Sequence, residues 1–254
     1  VSALSHAARG VHMAMSWLTV APVGSPAEPI TGDDGRRVIA CAPVVGAVLG
    51  LLAAAAAALL SMTALPGLMI GLIVVGVLAL ATRGMHIDGL ADTADGLGSY
   101  GDPERATKVM HSGSSGPFAI VTVVVLLGID AVGIGVLADE HRWYAVWFAV
   151  LLSRYAPVIA CRRQLRAAPG TRFGELVAGT QRWSILWWLL VLAIAGAPVD
   201  ADQWWRGVSI TVVAAVVAWA FSAHCARRFG GINGDVLGAL VEIVLALTLI
   251  AVLL

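Results

Sequence analysis

P-F-A-I-V-T-V-V-V-L-L-G-I-D-A-V-G-I-G-V-L-A, residues 117–138, carries a single charge, Asp130, in a run long enough to cross a bilayer. The hydrocarbon core is roughly 30 Å thick, and a helix needs about 20 apolar residues to span it. Lipid offers the backbone no hydrogen-bond partners, so such a run must be helical. Working outward, further apolar runs lie at 38–60, 67–82, 143–161, 183–199, 208–225 and 236–254. The predicted fold is therefore all-α: a polytopic integral membrane helix bundle of about seven spans, forming one domain over residues 1–254. The 67–82 run is short. It is either a tilted span that borrows flanking residues or a helix that stops below the membrane surface.

Composition supports this reading. Charged residues make up 13% and apolar residues 59% of the 254, with mean hydropathy +0.87. A soluble domain usually carries about 25% charged residues, so a soluble enzyme, a disordered tail protein and a disulfide-rich secreted domain are excluded. Formal net charge is zero, and no nucleic-acid partner is expected. Cys41, Cys161 and Cys225 sit in apolar runs and read as packing residues. No cleavable signal peptide is expected, since residues 1–37 hold no sustained apolar core.

Basic residues set the expected direction. With the N-terminus in the cytoplasm, segments 1–37, 83–116, 162–182 and 226–235 are cytoplasmic and hold 13 of the 16 Lys and Arg. The opposite loops hold only Arg142 and Arg206, and Arg154 lies inside a span. By the positive-inside rule this gives a cytoplasmic N-terminus. Tryptophans at 143, 147, 183, 187, 188, 204 and 205 mark helix ends at the interface.

Polar chemistry concentrates on that same side. In R-G-M-H-I-D-G-L-A-D-T-A-D-G-L-G-S, residues 83–99, the spacing of Asp88, Asp92 and Asp95 puts three carboxylates within about 60° of one helix face. Like charges so placed repel, and a divalent cation relieves them; carboxylates plus water and phosphate suit Mg²⁺. A solvated acidic helix start is the plainer alternative. His86 points away from that face on a regular helix. The interleaved glycines, including Gly89, predict close approach by a ligand or a neighbouring helix. Arg105, Lys108 and His111 then recur every three residues and lead into a loop of small donors from Ser112 to Gly116. This suits phosphate groups, or simply obeys the positive-inside rule. Near the C-terminus, Asn233 and Asp235 could cap the last helix. Glu242 is costly in lipid and should face the bundle interior. Arg154 could pair with a carboxylate or a substrate phosphate, and Pro157 predicts a kink.

Taken together these clusters resemble the cobalamin synthase family, adenosylcobinamide-GDP ribazoletransferase. The family's H-x-D-G-L-A-D-x-x-D-G reads H-I-D-G-L-A-D-T-A-D-G from His86 to Gly96. Its terminal G-G-x-x-G-D-x-x-G-A reads G-G-I-N-G-D-V-L-G-A from Gly230 to Ala239. Trp17 to Val23 and Ser153 to Pro157 approximate two further elements. The chain departs from the family's M-K-D-S at Met110 to Gly113, and Leu245 stands where a second acid is often found. The resemblance implies a phosphotransferase of the bacterial or archaeal cytoplasmic (inner) membrane with its site facing the cytoplasm. It would join adenosylcobinamide-GDP to α-ribazole or its 5′-phosphate and release GMP. It implies Mg²⁺ as cofactor on Asp88, Asp92 and Asp95, with Asp235 as a further ligand or the base, and His86 orienting the nucleophile. Arg83, Arg105, Lys108, Ser112, Arg154 and Asn233 become candidate substrate or phosphate contacts. A CDP-alcohol phosphotransferase or prenyltransferase, and a cation or corrinoid transporter, are the alternatives. A transporter should gather polar groups near the midplane, often with repeat symmetry; here they crowd at one face.

Overall fold

The computed structural model describes residues 3–24, 30–111, 113, 115–200 and 202–254. Every regular element among them is helical, and the only β pairing is two isolated bridges, Arg162 with Gln181 and Ala167 with Ile232. The chain opens with α1 (Ala3–Leu18) and α2 (Gly32–Ala40). Thr31 and Asp34 close a reciprocal capping box at the start of α2, which satisfies donors the helix itself leaves open. Asp34 is buried and bonded by Arg9 and Arg37. Burial alone would raise its pKa, but Thr31 and these two arginines together hold it below the ordinary value.

The first apolar run is not one helix. α2 ends at Cys41, and α3 (Ala42–Leu60) starts afresh with Pro43 in its first turn. Proline lacks the N–H that continuing α2 would require. The second run becomes α4 (Gly67–Ala81), which stops and turns 94° into α5 (Met85–Gly98). Arg83 and Gly84 make that corner with φ of 56° and 67°. The left-handed region costs glycine nothing and arginine about 1–2 kcal/mol. The short run is thus a helix of 15 residues that ends at Ala81.

After α6 (Pro103–Met110) come α7 (Pro117–Asp139), α8 (Trp143–Ser153) and α9 (Ala156–Ala160). The break between α8 and α9 falls at Arg154 and Tyr155, just before Pro157, as the kink reading required. α10 (Arg172–Val177) and α11 (Trp183–Gly196) follow, the latter continued by a 3-10 turn, Ala197–Val199. α12 (Trp204–Phe229) and α13 (Gly234–Leu253) complete the chain. By length and apolarity, α3, α7, α8 with α9, α12 and α13 can cross a membrane, making five, or six if the bent α4–α5 pair is one span. α11 is apolar but shorter. All seven predicted runs thus lie on helices, with the count of full spans lower by one or two.

α8–α9 and α13 form the centre, being the most buried of these helices. Their neighbours α3, α4, α7, α11 and α12 turn large apolar side chains outward, among them Leu51, Leu72, Val124, Trp187 and Val213. Such an apolar exterior is what a lipid-facing wall requires.

Candidate active site

The site is made where α5 lies across the start of α13. A Cβ on Gly89 would stand 2.7 Å from the Asp235 carbonyl oxygen, and one on Gly238 would stand 3.1 Å from the His86 Cα. Glycine at both positions lets the two backbones touch. The predicted close approach is therefore by a neighbouring helix. Its effect is to set the acids of α5 beside Asp235.

Asp235 is fixed from two sides. Asn233 caps α13, its Oδ1 accepting from the Val236 N–H at 3.0 Å, while its Nδ2 donates to Asp235 Oδ2 at 3.1 Å. His111 Nε2 lies 3.3 Å from the same oxygen. Asn233 is 2% exposed, and Nδ2 also reaches Met110 Sδ. Capping is thus its work here; it orients Asp235 and shows no free donor for substrate. His111, which the spacing grouped with Arg105 and Lys108 on a phosphate-binding face, joins the acids instead. The three-residue recurrence flagged it, but only the tertiary fold shows its partner.

Asp88 is exposed and Asp92 half-buried. Burial raises the Asp92 pKa to about 6, with the charges of Asp235 and Asp88 adding to it, His111 opposing and Asp95 adding a little. The like-charge repulsion expected from the sequence is therefore present, drawn as much from α13 as from α5. Asp95 has a different employment. It accepts from the backbone N–H groups of Gly116 and, at 2.9 Å, Ala119. α7 starts with Gly116 and Pro117, which offer no capping side chain. A carboxylate from α5 fills that need and complements the helix dipole. Asp95 thus anchors α5 to α7 in this arrangement. Among the described residues, no three His, Cys, Asp or Glu side chains already surround a single point as ligands.

A cavity of about 540 Å³ opens beside the cluster, lined by Arg83, His86, Asp88, Arg154 and Asp235. Its other walls are mainly apolar, with Trp17, Val45, Phe173 and Leu237 among them. This size and lining suit a ligand of nucleotide dimensions. Arg83 stands exposed at the rim, donating to the Trp17 carbonyl at 3.3 Å. His86 is buried on the far side of α5 from the acid face, its Nδ1 4.0 Å from Glu242 Oε1. That Nδ1 has no hydrogen-bond partner among the described residues.

Arg154 is buried at the break between α8 and α9, donating to Ser153 Oγ at 2.7 Å. No carboxylate of the described residues lies within ion-pair distance of it. It nevertheless shares a small space of about 20 Å³ with Asp130 and Glu242. Glu242 faces the bundle interior as predicted, and Asp130 does the same. Arg105 and Lys108 stand apart. They are exposed on α6 and line a surface groove with Asp102 and Glu104. Ser112 lies outside the described residues.

Comparison with known proteins bears on this site. The profile of the cobalamin-5-phosphate synthase family matches residues 10–253. An adenosylcobinamide-GDP ribazoletransferase of Nocardioides sp. is 37% identical, covering 94% of this chain and 95% of the relative. Those of Frankia casuarinae and Corynebacterium efficiens are 38% and 35% identical, covering 93% and 91% of this chain and 91% and 86% of theirs. No solved structure matches.

Proposed function

The chain belongs to the cobalamin-5-phosphate synthase family, and on that premise we propose that it joins adenosylcobinamide-GDP to α-ribazole or α-ribazole 5′-phosphate. The products are adenosylcobalamin, or its 5′-phosphate, and GMP. The observation that carries the reading is the meeting of Asp88, Asp92 and Asp235 beside a largely apolar cavity lined by Asp88, Asp235, Arg83 and Arg154.

The bonds dictate what the site must do. A ribose hydroxyl oxygen attacks the phosphorus that bears cobinamide. The P–O bond to GMP breaks, and the hydroxyl proton must leave. The carboxylates of the cluster are the acceptors the chain offers for that proton, Asp235 first among them. Asp235 is held by Asn233 and His111 in one orientation, which fixes the acids relative to the bound phosphates. Arg83 and Arg154 supply positive charge to the diphosphate from the rim and the floor. The apolar walls exclude water, the competing nucleophile.

Mg²⁺ fits the donors present. Asp88, Asp92 and Asp235 are hard oxygen ligands that repel one another, and Mg²⁺ is commonly held by one or two carboxylates with water and phosphate oxygens completing the shell. When bound, it would neutralise charge on the transferring and leaving oxygens. The basic loops share the end of the bundle that carries this cluster, which supports a cytoplasmic N-terminus and a site facing the cytoplasm in the inner membrane.

The test is reconstitution of the full chain in liposomes with Mg²⁺, adenosylcobinamide-GDP and α-ribazole 5′-phosphate. Chromatography should show GMP and cobalamin 5′-phosphate in equal amounts, and neither with Asp92→Asn. Absence of both from well-folded protein, with α-ribazole also tried, would sink the reading.

A further inference from the structure

A second groove, on the flank of the same end of the bundle, belongs to no part of the transferase site. It encloses about 710 Å³ between the end of α9 and the starts and sides of α11 and α12, and is lined by Arg162, Arg163, Arg182, Leu186 and Trp219 among others. Three arginines converge there. None of them makes an ion pair among the described residues.

Arg162 is the most telling. It is 7% exposed, yet its guanidinium meets only neutral acceptors: the carbonyls of Ile159 and Trp219 at 3.2 Å each and Ser222 Oγ at 2.7 Å. These bonds fix its direction without balancing its charge. Its guanidinium carbon lies 5.3 Å from the Trp219 ring centroid, and that of Arg182 lies 4.9 Å from the Trp183 centroid. Both cations are thus stacked on aromatic faces. Arg163 is exposed. Trp219 and Leu186 are 55% and 57% exposed and point out of the bundle, where acyl chains would run.

Depth adds the second argument. Trp219 stands fifteen residues from Trp204, the far end of α12, a rise of about 22 Å. α11 with its 3-10 continuation, Trp183–Val199, is about 27 Å long. Both lengths fall short of the roughly 30 Å hydrocarbon core. The arginines therefore stand at the border of the hydrocarbon, where an unbalanced cation is costly. A lipid phosphate drawn down to that level balances it, and its acyl chains cover Trp219 and Leu186.

We propose that the groove of Arg162, Arg163 and Arg182 is a binding site for the headgroup phosphate of an anionic phospholipid in the leaflet on the carboxylate-cluster side. Basic pockets between membrane helices recognise such headgroups. The lipid is a resident of the flank, separate from the substrates in the 540 Å³ cavity.

The experiment is native mass spectrometry of the detergent-purified full chain, incubated with equal amounts of phosphatidylglycerol and phosphatidylcholine. Wild type should retain phosphatidylglycerol about tenfold over phosphatidylcholine. The pair Arg163→Gln and Arg182→Gln, both exposed and so tolerated by the fold, should bring the two lipids near parity. Arg182→Lys should keep most of the preference. Excess inorganic phosphate should leave the phosphatidylglycerol adduct in place. Equal retention of both lipids by wild type, or an undiminished preference in the double variant with a monodisperse gel-filtration profile, overturns the proposal. Displacement by inorganic phosphate overturns it too, and assigns the groove to a soluble phosphate-bearing ligand.

Discussion

Asp88 and Asp92 stand on α5 at the edge of the bundle, whereas Asp130 and Glu242 stand deep within it at 1% and 7% exposure. The two pairs are neighbours all the same, because Arg154 lines both the large cavity beside α5 and the small space next to Asp130 and Glu242. The outer acids repel one another and Asp235, and His111 relieves only part of that. The inner acids share a small space with the Arg154 guanidinium, and neither forms an ion pair with it. An acid in a membrane protein is therefore read by its company. Acids crowded together at the edge keep charge for a ligand; single acids in the core sit near a buried arginine.

The contrast can be broken most directly at Asp92. Asp92→Asn should reduce GMP release by about a hundred- to a thousandfold, the loss usual for removing one preorganised electrostatic group, with little change in melting temperature. Glu242→Gln should show the reverse balance, melting earlier while retaining measurable turnover. Turnover abolished by Glu242→Gln in a normally melting protein would merge the two groups into one catalytic set.

Arg154→Met comes next. It removes the guanidinium nearest two buried acids that form no ion pair with it, so the cost should stay below the roughly 3–5 kcal/mol of breaking a formed buried pair. Thermal unfolding in detergent should show a measurable loss, and Asp130→Asn added to it should recover part. No recovery would mean that Asp130 and Arg154 do not answer each other's charge.

Asp95 tests the division within α5 itself. Because its carboxylate caps α7, Asp95→Asn should cost about 1.5–3 kcal/mol of stability and leave the cation requirement of the reaction unchanged. A raised Mg²⁺ requirement at constant stability would return Asp95 to the ligands.

The smallest effect is with pH. The Asp92 pKa stands at about 6, so below that value a cation must displace a proton. The Mg²⁺ concentration for half activation should rise toward about tenfold per pH unit below 6. Stability of the cation-free protein should rise along with it. A raised carboxyl pKa disfavours the folded state while the group is charged, so acidification from pH 7 to 5 should stabilise it modestly. Parallel falls in both quantities would contradict the assignment.

What could be read in advance divides along the same line. Apolar length alone placed helices at all seven runs, and the His86–Gly96 motif pointed to the acid face of α5. Glu242's inward orientation followed from the cost of a charge in lipid. The break at Cys41 was available in principle from Pro43, but a continuous apolar run concealed it. Other features depend on tertiary distance. Asp130, Arg154 and Glu242 come from three helices widely separated in sequence, and no local pattern announces their meeting. Asp95 sat in phase with Asp88 and Asp92 on an ideal helix, yet the uncapped start of α7 claimed it. His111 was noticed for its spacing with two basic residues, and its actual partner lies 124 residues away.

The glycine contact between α5 and α13 has a consequence for how this chain can vary. α5 is gripped along one line by α13, through Gly89 and Gly238, and its acids occupy another line. The angle between those lines is fixed inside α5, where Gly89 follows Asp88 by one residue and precedes Asp92 by three. One residue inserted between Gly89 and Asp92 would turn Asp92 by about 100° around the helix while Gly89 stayed on α13. Asp92 would then swing away from Asp235. An insertion at the corner between α4 and α5 leaves that spacing intact, as loops can lengthen at small entropic cost. The spacing inside the motif is a phase lock, as much a part of the site as the carboxylates it aims.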